Sequence, residues 1–184
     1  MTVRTRIAEW VAPATAAAAE MDWEAVYRRE LPRVYNFFRY RVGPGPVAED
    51  LTSATFEKAW RARLAYRRDV GAFSTWLLTI ARHVGVDHFR RPRRDLPIEE
   101  IDSPSRAPTP EQEALRVSDL ERLQSLLGEL PQRERELIAF KYGSGATNRE
   151  IAKATGLSES NVGTILHRTV CGLRERWQAK ETNR

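Results

Sequence analysis

Apolar side chains recur at three- and four-residue steps at Trp23, Val26, Tyr27, Leu31, Val34, Tyr35 and Phe38, which predicts a helix with one buried face beginning near Asp22. Gly43-Pro44-Gly45-Pro46 ends it and sets up the next start. A second helix is predicted from roughly Val47 to Tyr66. Its apolar residues do not share one stripe, since Leu51 lies about 140° around the wheel from Phe56. One face can meet a core while another meets a partner. Arg67, Arg68, Asp69 and Gly71 form a polar loop. A third helix, roughly Phe73 to Arg91, carries the stripe Phe73, Trp76, Leu77, Ile80, Ala81, Val84 and His88. Its other side shows Arg82, His83, Val86, Asp87 and Arg90, and Asp87 is expected to pair with Arg90 or Arg91 along the helix.

Five of the ten prolines fall between Pro92 and Pro110, among Asp95, Glu99, Glu100 and Asp102, so this stretch reads as an extended acidic linker. Beyond it, Thr109-Pro110-Glu111-Gln112 is a capping box with proline at the first helical position. Leu120, Leu123, Leu127 and Leu130 form the stripe that follows, and Pro131 breaks it. A short helix then carries Leu137, Ile138 and Phe140, and Thr147 to Glu150 is a second capping box. The pattern is all-α throughout: two small helical domains joined by a flexible, acidic, proline-rich linker.

The most specific spacing lies between Thr147 and Trp177. Ala152, Gly156, Val162 and Ile165 together fit a helix-turn-helix, with Gly156 at the left-handed turn, Leu157 plugging the corner and Ser158 capping the next helix. Val162, Ile165, Leu166, Thr169, Leu173 and Trp177 are expected to face the core. In such a motif the early residues of the second helix enter the major groove, here Glu159, Ser160, Asn161, Gly163, Thr164, His167 and Arg168. Asn161 suits adenine, Ser160 or Thr164 suits a phosphate or base edge, and Arg149 can meet backbone phosphate. A three-helix unit that binds protein has the same spacing.

Composition narrows the partner. Thirty basic residues against twenty-five acidic ones give a formal charge of +5 over 184 residues, and all but four of the basic residues are arginine. Arginine forks onto phosphate and base edges better than lysine, so nucleic acid is the first partner to consider. Arg67, Arg68, Arg82, His83, Arg90 and Arg91 sit beside Tyr66, Phe73 and Trp76, a mixture suited to single strands. Phe73 and Trp76 also lie on the core stripe, so plain packing fits them too. One cysteine, Cys171, excludes an internal disulfide, and three histidines make a histidine metal site unexpected. No stretch approaches the roughly 20 apolar residues of a membrane span. The N-terminal Arg4 and Arg6 are followed by sequence that Glu9 interrupts and that lacks the apolar core of a leader, so the expected compartment is the cytoplasm. No nucleophile–base pair, phosphate-cradling glycine loop or metal constellation is visible, and neither enzymatic activity nor a cofactor is expected.

The order of motifs resembles a family. Ala48-Glu49-Asp50-Leu51-Thr52, then Phe56 and Lys58-Ala59-Trp60, is similar to the polymerase-binding helix of bacterial sigma factors. Phe73-Ser74-Thr75-Trp76-Leu77, Ile80-Ala81-Arg82 and Asp87 to Arg90 resemble the helix that opens and reads the minus-ten promoter element. Leu130-Pro131, Arg133, Glu150-Ile151-Ala152, Gly156-Leu157-Ser158, Val162 and Leu166-His167-Arg168 resemble the domain that reads the minus-thirty-five element. Two such domains and a linker match the extracytoplasmic-function (ECF) subfamily. Ser53 and Ala54 stand where the family usually has glutamine and an acid, and His83 where it has asparagine. The reading helix lacks the family's frequent lysine and arginines, having Gly163, Ile165 and Val170, which implies fewer phosphate contacts and a shallower salt dependence.

The resemblance implies a transcription initiation factor with residues 1–21 as a disordered extension (or Met21 as the true start), 22–92 and 110–180 as the two domains and 93–109 as the linker. It assigns Glu49, Asp50, Leu51, Thr52 and Phe56 to the RNA polymerase core, although Phe56 also fits a purely core role. It assigns Arg67, Arg68, Phe73, Ser74, Trp76, Arg82, His83, Arg90 and Arg91 to the minus-ten strand, and Arg149 with the reading-helix residues to the minus-thirty-five duplex. An anti-sigma factor is the further implied partner. The rival reading is a stand-alone helix-turn-helix repressor or activator.

Overall fold

The computed structural model describes residues 22–90 and 110–182, with side chains over 118–179 in the second stretch. The expected extension, the linker, Arg91 and the Thr109 cap lie outside the described residues. All regular structure among the described residues is helical. Helix α1 spans Trp23–Val42, and the Asp22 carboxylate caps it by accepting from the backbone N–H groups of Glu24 and Ala25 at 3.1 Å. Gly43 and Gly45 take positive φ values of 90° and 113°, turning the chain into α2, Pro46–Arg61, with proline at its start.

Helix α2 is shorter than its pattern predicts. After Arg61 the chain tightens into a three-residue turn, Arg63–Ala65, with Ala65 N–H bonded to the Ala62 carbonyl at 2.9 Å. Arg63 folds back there, donating to the Trp60 carbonyl at 2.8 Å and stacking on the Trp60 ring at 4.1 Å. A polar loop follows, closed by the Tyr66 hydroxyl on the Gly71 carbonyl at 3.1 Å, and leads into α3, Phe73–Arg90.

In the second half, α4 covers Pro110–Gly128 and α5 covers Gln132–Ile138. The chain then widens into a five-residue π-type turn, Ala139–Gly143, closed by Ser144 N–H on the Ala139 carbonyl at 3.0 Å. Helices α6, Asn148–Thr155, and α7, Glu159–Thr182, complete it. The predicted capping box at Thr147 and Glu150 is present with both reciprocal bonds. Gly156 adopts φ 82°, which L side chains rarely take, and its N–H bonds the Ala152 carbonyl at 2.9 Å. The Ser158 hydroxyl accepts from Asn161 N–H at 3.2 Å, as its cap role predicts.

The two halves share one core. Val34, Phe38, Leu77 and Ala81 fill the first, and Leu126, Leu137, Ile151 and Val162 the second. Between them α1 lies against the Ala139–Gly143 turn and α3 against α6. Phe37 and Phe140 meet there with ring centroids 4.7 Å apart, both fully buried. Gly143 is required at this seam, because a Cβ there would lie 2.7 Å from the Asn36 carbonyl oxygen. Three stripe assignments need correction. Leu120 and Tyr27 are about half exposed, and His88 lies on the surface. Phe37, Glu30 and Arg41 take buried positions instead, because the second half, not only α2 and α3, covers α1.

Candidate nucleic-acid interface

Helix α2 turns Glu49, Asp50 and Ser53 to solvent. Leu51, Thr52 and Phe56 do not join them on that outer face. They are 7%, 3% and 8% exposed because the 3.6-residue period carries them inward, and the Thr52 hydroxyl is taken by the Ala48 carbonyl at 2.7 Å. A groove of about 410 Å³ runs between α1 and α2, with Tyr27, Leu31 and Tyr35 on one wall and Glu49 and Ser53 on the other. The two tyrosines escape a periodicity reading because helical spacing assigns them to the core.

Around the start of α3, Arg68 is exposed and Arg67 pairs with Asp69. Phe73 and Trp76 are corrected from a strand-facing position to the core. With Tyr66 they form a buried cluster whose ring centroids are 5.2–5.3 Å apart. The aromatic ring that α2 does present outward is Trp60, 49% exposed and covered by Arg63. Arg90 is exposed at the end of α3. Among the described residues Asp87 pairs with Lys58 of α2 at 3.2 Å and not with Arg90 of its own helix, because α2 packs beside α3. Burial pushes the half-buried His83 imidazole below its usual range, so it is neutral at pH 7.

The buried and exposed sides of α7 fall where helical spacing puts them. Val162, Leu166 and Thr169 are buried, while Ser160, Asn161, Thr164, His167 and Arg168 are exposed on α7 and Gly163 lies half-buried between them. Arg149 is exposed on α6, and Arg168 leans toward Glu134 at 3.4 Å.

Two acidic groups of the second half hold the first. Glu136 Oε2 accepts from Arg82 Nε at 3.1 Å, and its Oε1 lies 3.5 Å from the Arg41 guanidinium, which is 2% exposed. Glu150 Oε1 accepts from Thr75 at 3.3 Å and Ser74 at 3.5 Å, and Arg33 donates to the Ser144 carbonyl at 2.9 Å. Ser74 and Arg82 are thus occupied by carboxylates in this arrangement. Burial alone would raise the Glu150 pKa, but the bonds from Thr147 and Thr75 and the Arg33 charge outweigh it and hold the carboxyl below its ordinary 4.5. Its contribution to stability is therefore complete at neutral pH and is lost as pH falls through 4.5 toward the lowered folded value. Urea midpoints should fall on going from pH 7 to about pH 3, and fall less in Glu150→Gln. Equal pH sensitivity in both proteins would remove Glu150 from the account.

Among the described residues no group of three or more metal-capable side chains is present, and no helix is long and apolar enough to cross a membrane. The model for sigma-70 region 2 matches residues 26–95, and that for sigma-70 region 4 matches residues 120–170. The chain is 31% identical over 159 residues to the ECF RNA polymerase sigma factor BldN of Streptomyces coelicolor, covering 84% of this chain and 60% of that protein's length. It is 31% identical over 160 residues to the RNA polymerase sigma factor CarQ of Myxococcus xanthus, covering 85% of this chain and 90% of CarQ. The sigma factor RpoE of Bartonella quintana, solved with the anti-sigma factor NepR, shares the fold with a TM-score of 0.66 at 20% identity, over 85% of this chain and 97% of that one. The chain belongs to the ECF sigma factors of bacterial RNA polymerase.

Proposed function

We propose that this chain is a non-enzymatic initiation factor, working in the cytoplasm, that carries RNA polymerase core to promoters whose minus-thirty-five element it reads as duplex and whose minus-ten element it melts. The observation that carries this reading is the capped α6–Gly156–α7 unit. It leaves Ser160, Asn161, Thr164, His167 and Arg168 exposed on a helix whose other side is buried. That is the face a major groove accepts, with Asn161 suited to adenine and Arg168 to a guanine edge or phosphate.

The units are residues 22–92 and 110–180, with 93–109 between them. Glu49 and Asp50, with the tyrosine-lined groove beside them, form the polymerase surface. Arg67, Arg68, Arg90 and Arg91 follow the opened strand, and Ser74, Arg82 and His83 join them once the seam parts. Extrusion of a base costs a few kcal/mol of stacking, which hydrogen-bonding and stacking groups on the factor offset. Leu51, Thr52, Phe56, Phe73 and Trp76 act by shaping the surfaces that carry these groups. By analogy with the Bartonella quintana complex, an anti-sigma factor is the regulating partner.

Run-off transcription with purified core polymerase and a genomic fragment library tests the reading directly. New discrete transcripts are expected with the wild type. Asp50→Arg is expected to lose co-purification with core by at least tenfold while keeping its helical circular dichroism. Undiminished co-purification would refute the docking surface. Stable operator binding without polymerase, and no transcript with it, would favour the stand-alone regulator instead.

A further inference from the structure

A cleft of about 370 Å³ opens on the seam between α3 and α5. Among the described residues four arginines line it, Arg41, Arg82 and Arg90 from the first half and Arg133 from the second, against the single carboxylate of Glu136. Glu136 is already committed, one oxygen to Arg82 and the other toward Arg41. Arg90 and Arg133 meet no carboxylate among the described residues. Arg41 is buried to within 2% of complete, stacks on Phe89 at 4.9 Å, and has no hydrogen-bond acceptor for either terminal nitrogen. Native interiors rarely leave such donors unused, and a guanidinium in that state calls for an oxygen-rich acceptor.

We propose that this cleft is a binding site for a small multivalent oxyanion of the phosphate class, gripped by arginines of both halves. The charge sets the valence, because four guanidinium groups and one carboxylate leave a surplus that a monovalent ion does not balance. The planar fork of arginine matches phosphate oxygens two at a time. Phe89 at the rim, 39% exposed, offers a ring face to a base if the phosphate comes attached to one. The site exists only while the halves are together, since Arg133 arrives from the second. A ligand that binds only this arrangement stabilises it by mass action. The consequence for transcription rests on the proposed function, but the binding itself does not.

Calorimetric titration of the full chain with sodium pyrophosphate and with guanosine diphosphate, each against sodium chloride at matched ionic strength, tests this. Saturable binding is expected for at least one phosphate compound and none for chloride. Arg133→Gln, whose side chain is exposed and whose loss leaves the core untouched, should weaken it at least tenfold. Arg174→Gln, an exposed arginine of α7 outside the cleft, should bind as the wild type does. Tighter binding of pyrophosphate identifies a free phosphate compound, and tighter binding of the nucleotide identifies a base stacked on Phe89. Absence of saturable binding up to millimolar concentrations overturns the proposal. So does equal binding by Arg133→Gln, which would put the anion elsewhere on a basic surface.

Discussion

Glu136→Gln is expected to drive the two halves apart. Among the described residues the carboxylate is the one acid facing the buried Arg41, and it also holds Arg82. Burial pulls the Arg41 guanidinium below its ordinary pKa, and Glu136 is the largest influence opposing that. Glutamine keeps the shape and can still accept from Arg82, but it supplies no charge. Removing one partner of a buried ion pair costs about 3–5 kcal/mol, because the other charge stays in a poor solvent. The chain has a cheaper escape than global unfolding, which is to separate at the seam and let Arg41 reach water. About 3 kcal/mol corresponds to roughly a hundredfold in the ratio of closed to open molecules. Small-angle scattering should record a larger radius of gyration, with helical content unchanged. A variant that scatters like the wild type and unfolds at the same urea concentration would show that the carboxylate is not what holds the halves.

Gly143→Ala attacks the same seam without touching a charge. The clash is with backbone, since the added carbon would lie 2.7 Å from the Asn36 carbonyl oxygen and 3.2 Å from the Phe37 Cα. Neither atom can swing aside as a side-chain tip would. Gly143 does not occupy a positive-φ conformation, so alanine suits the local backbone and the penalty arises from close approach alone. Overpacking of this kind typically costs about 1–3 kcal/mol. Loss of contact between α1 and the π-type turn is the expected response, read by energy transfer between dyes placed on the two halves. Unchanged transfer efficiency would mean that α1 yields locally and the seam survives.

Much of this was legible in the chain itself. Helix positions followed from three- and four-residue periodicity, because each helix buries one stripe. The turn at Gly156 and the cap at Thr147 followed from residue chemistry that has few alternatives. Periodicity could not tell which neighbour covers a stripe. Phe37, Glu30 and Arg41 lie outside the predicted stripe of α1, yet all three are buried, Phe37 against Phe140 and Arg41 against Phe89 of α3 and Glu136 of α5. Phe73 and Trp76 belonged to two plausible patterns, arginine-flanked aromatics and a core stripe. Packing against Tyr66 decides for the second. Lys58 and Asp87 are 29 residues apart, a pairing that a rule for neighbours on one helix does not reach. The outward acids of α2 and the exposed face of α7 were readable as positions, since both follow from helical period alone.

Glu150 divides its labour between its two oxygens. One accepts from the Thr147 backbone and hydroxyl inside its own domain, and the other accepts from Thr75 and Ser74 across the seam. When the halves part, only the second set is exchanged for water. The start of α6 stays capped by the first. Under the proposed function, parting of the halves would change where the α6–α7 unit can go while leaving the cap at its start intact.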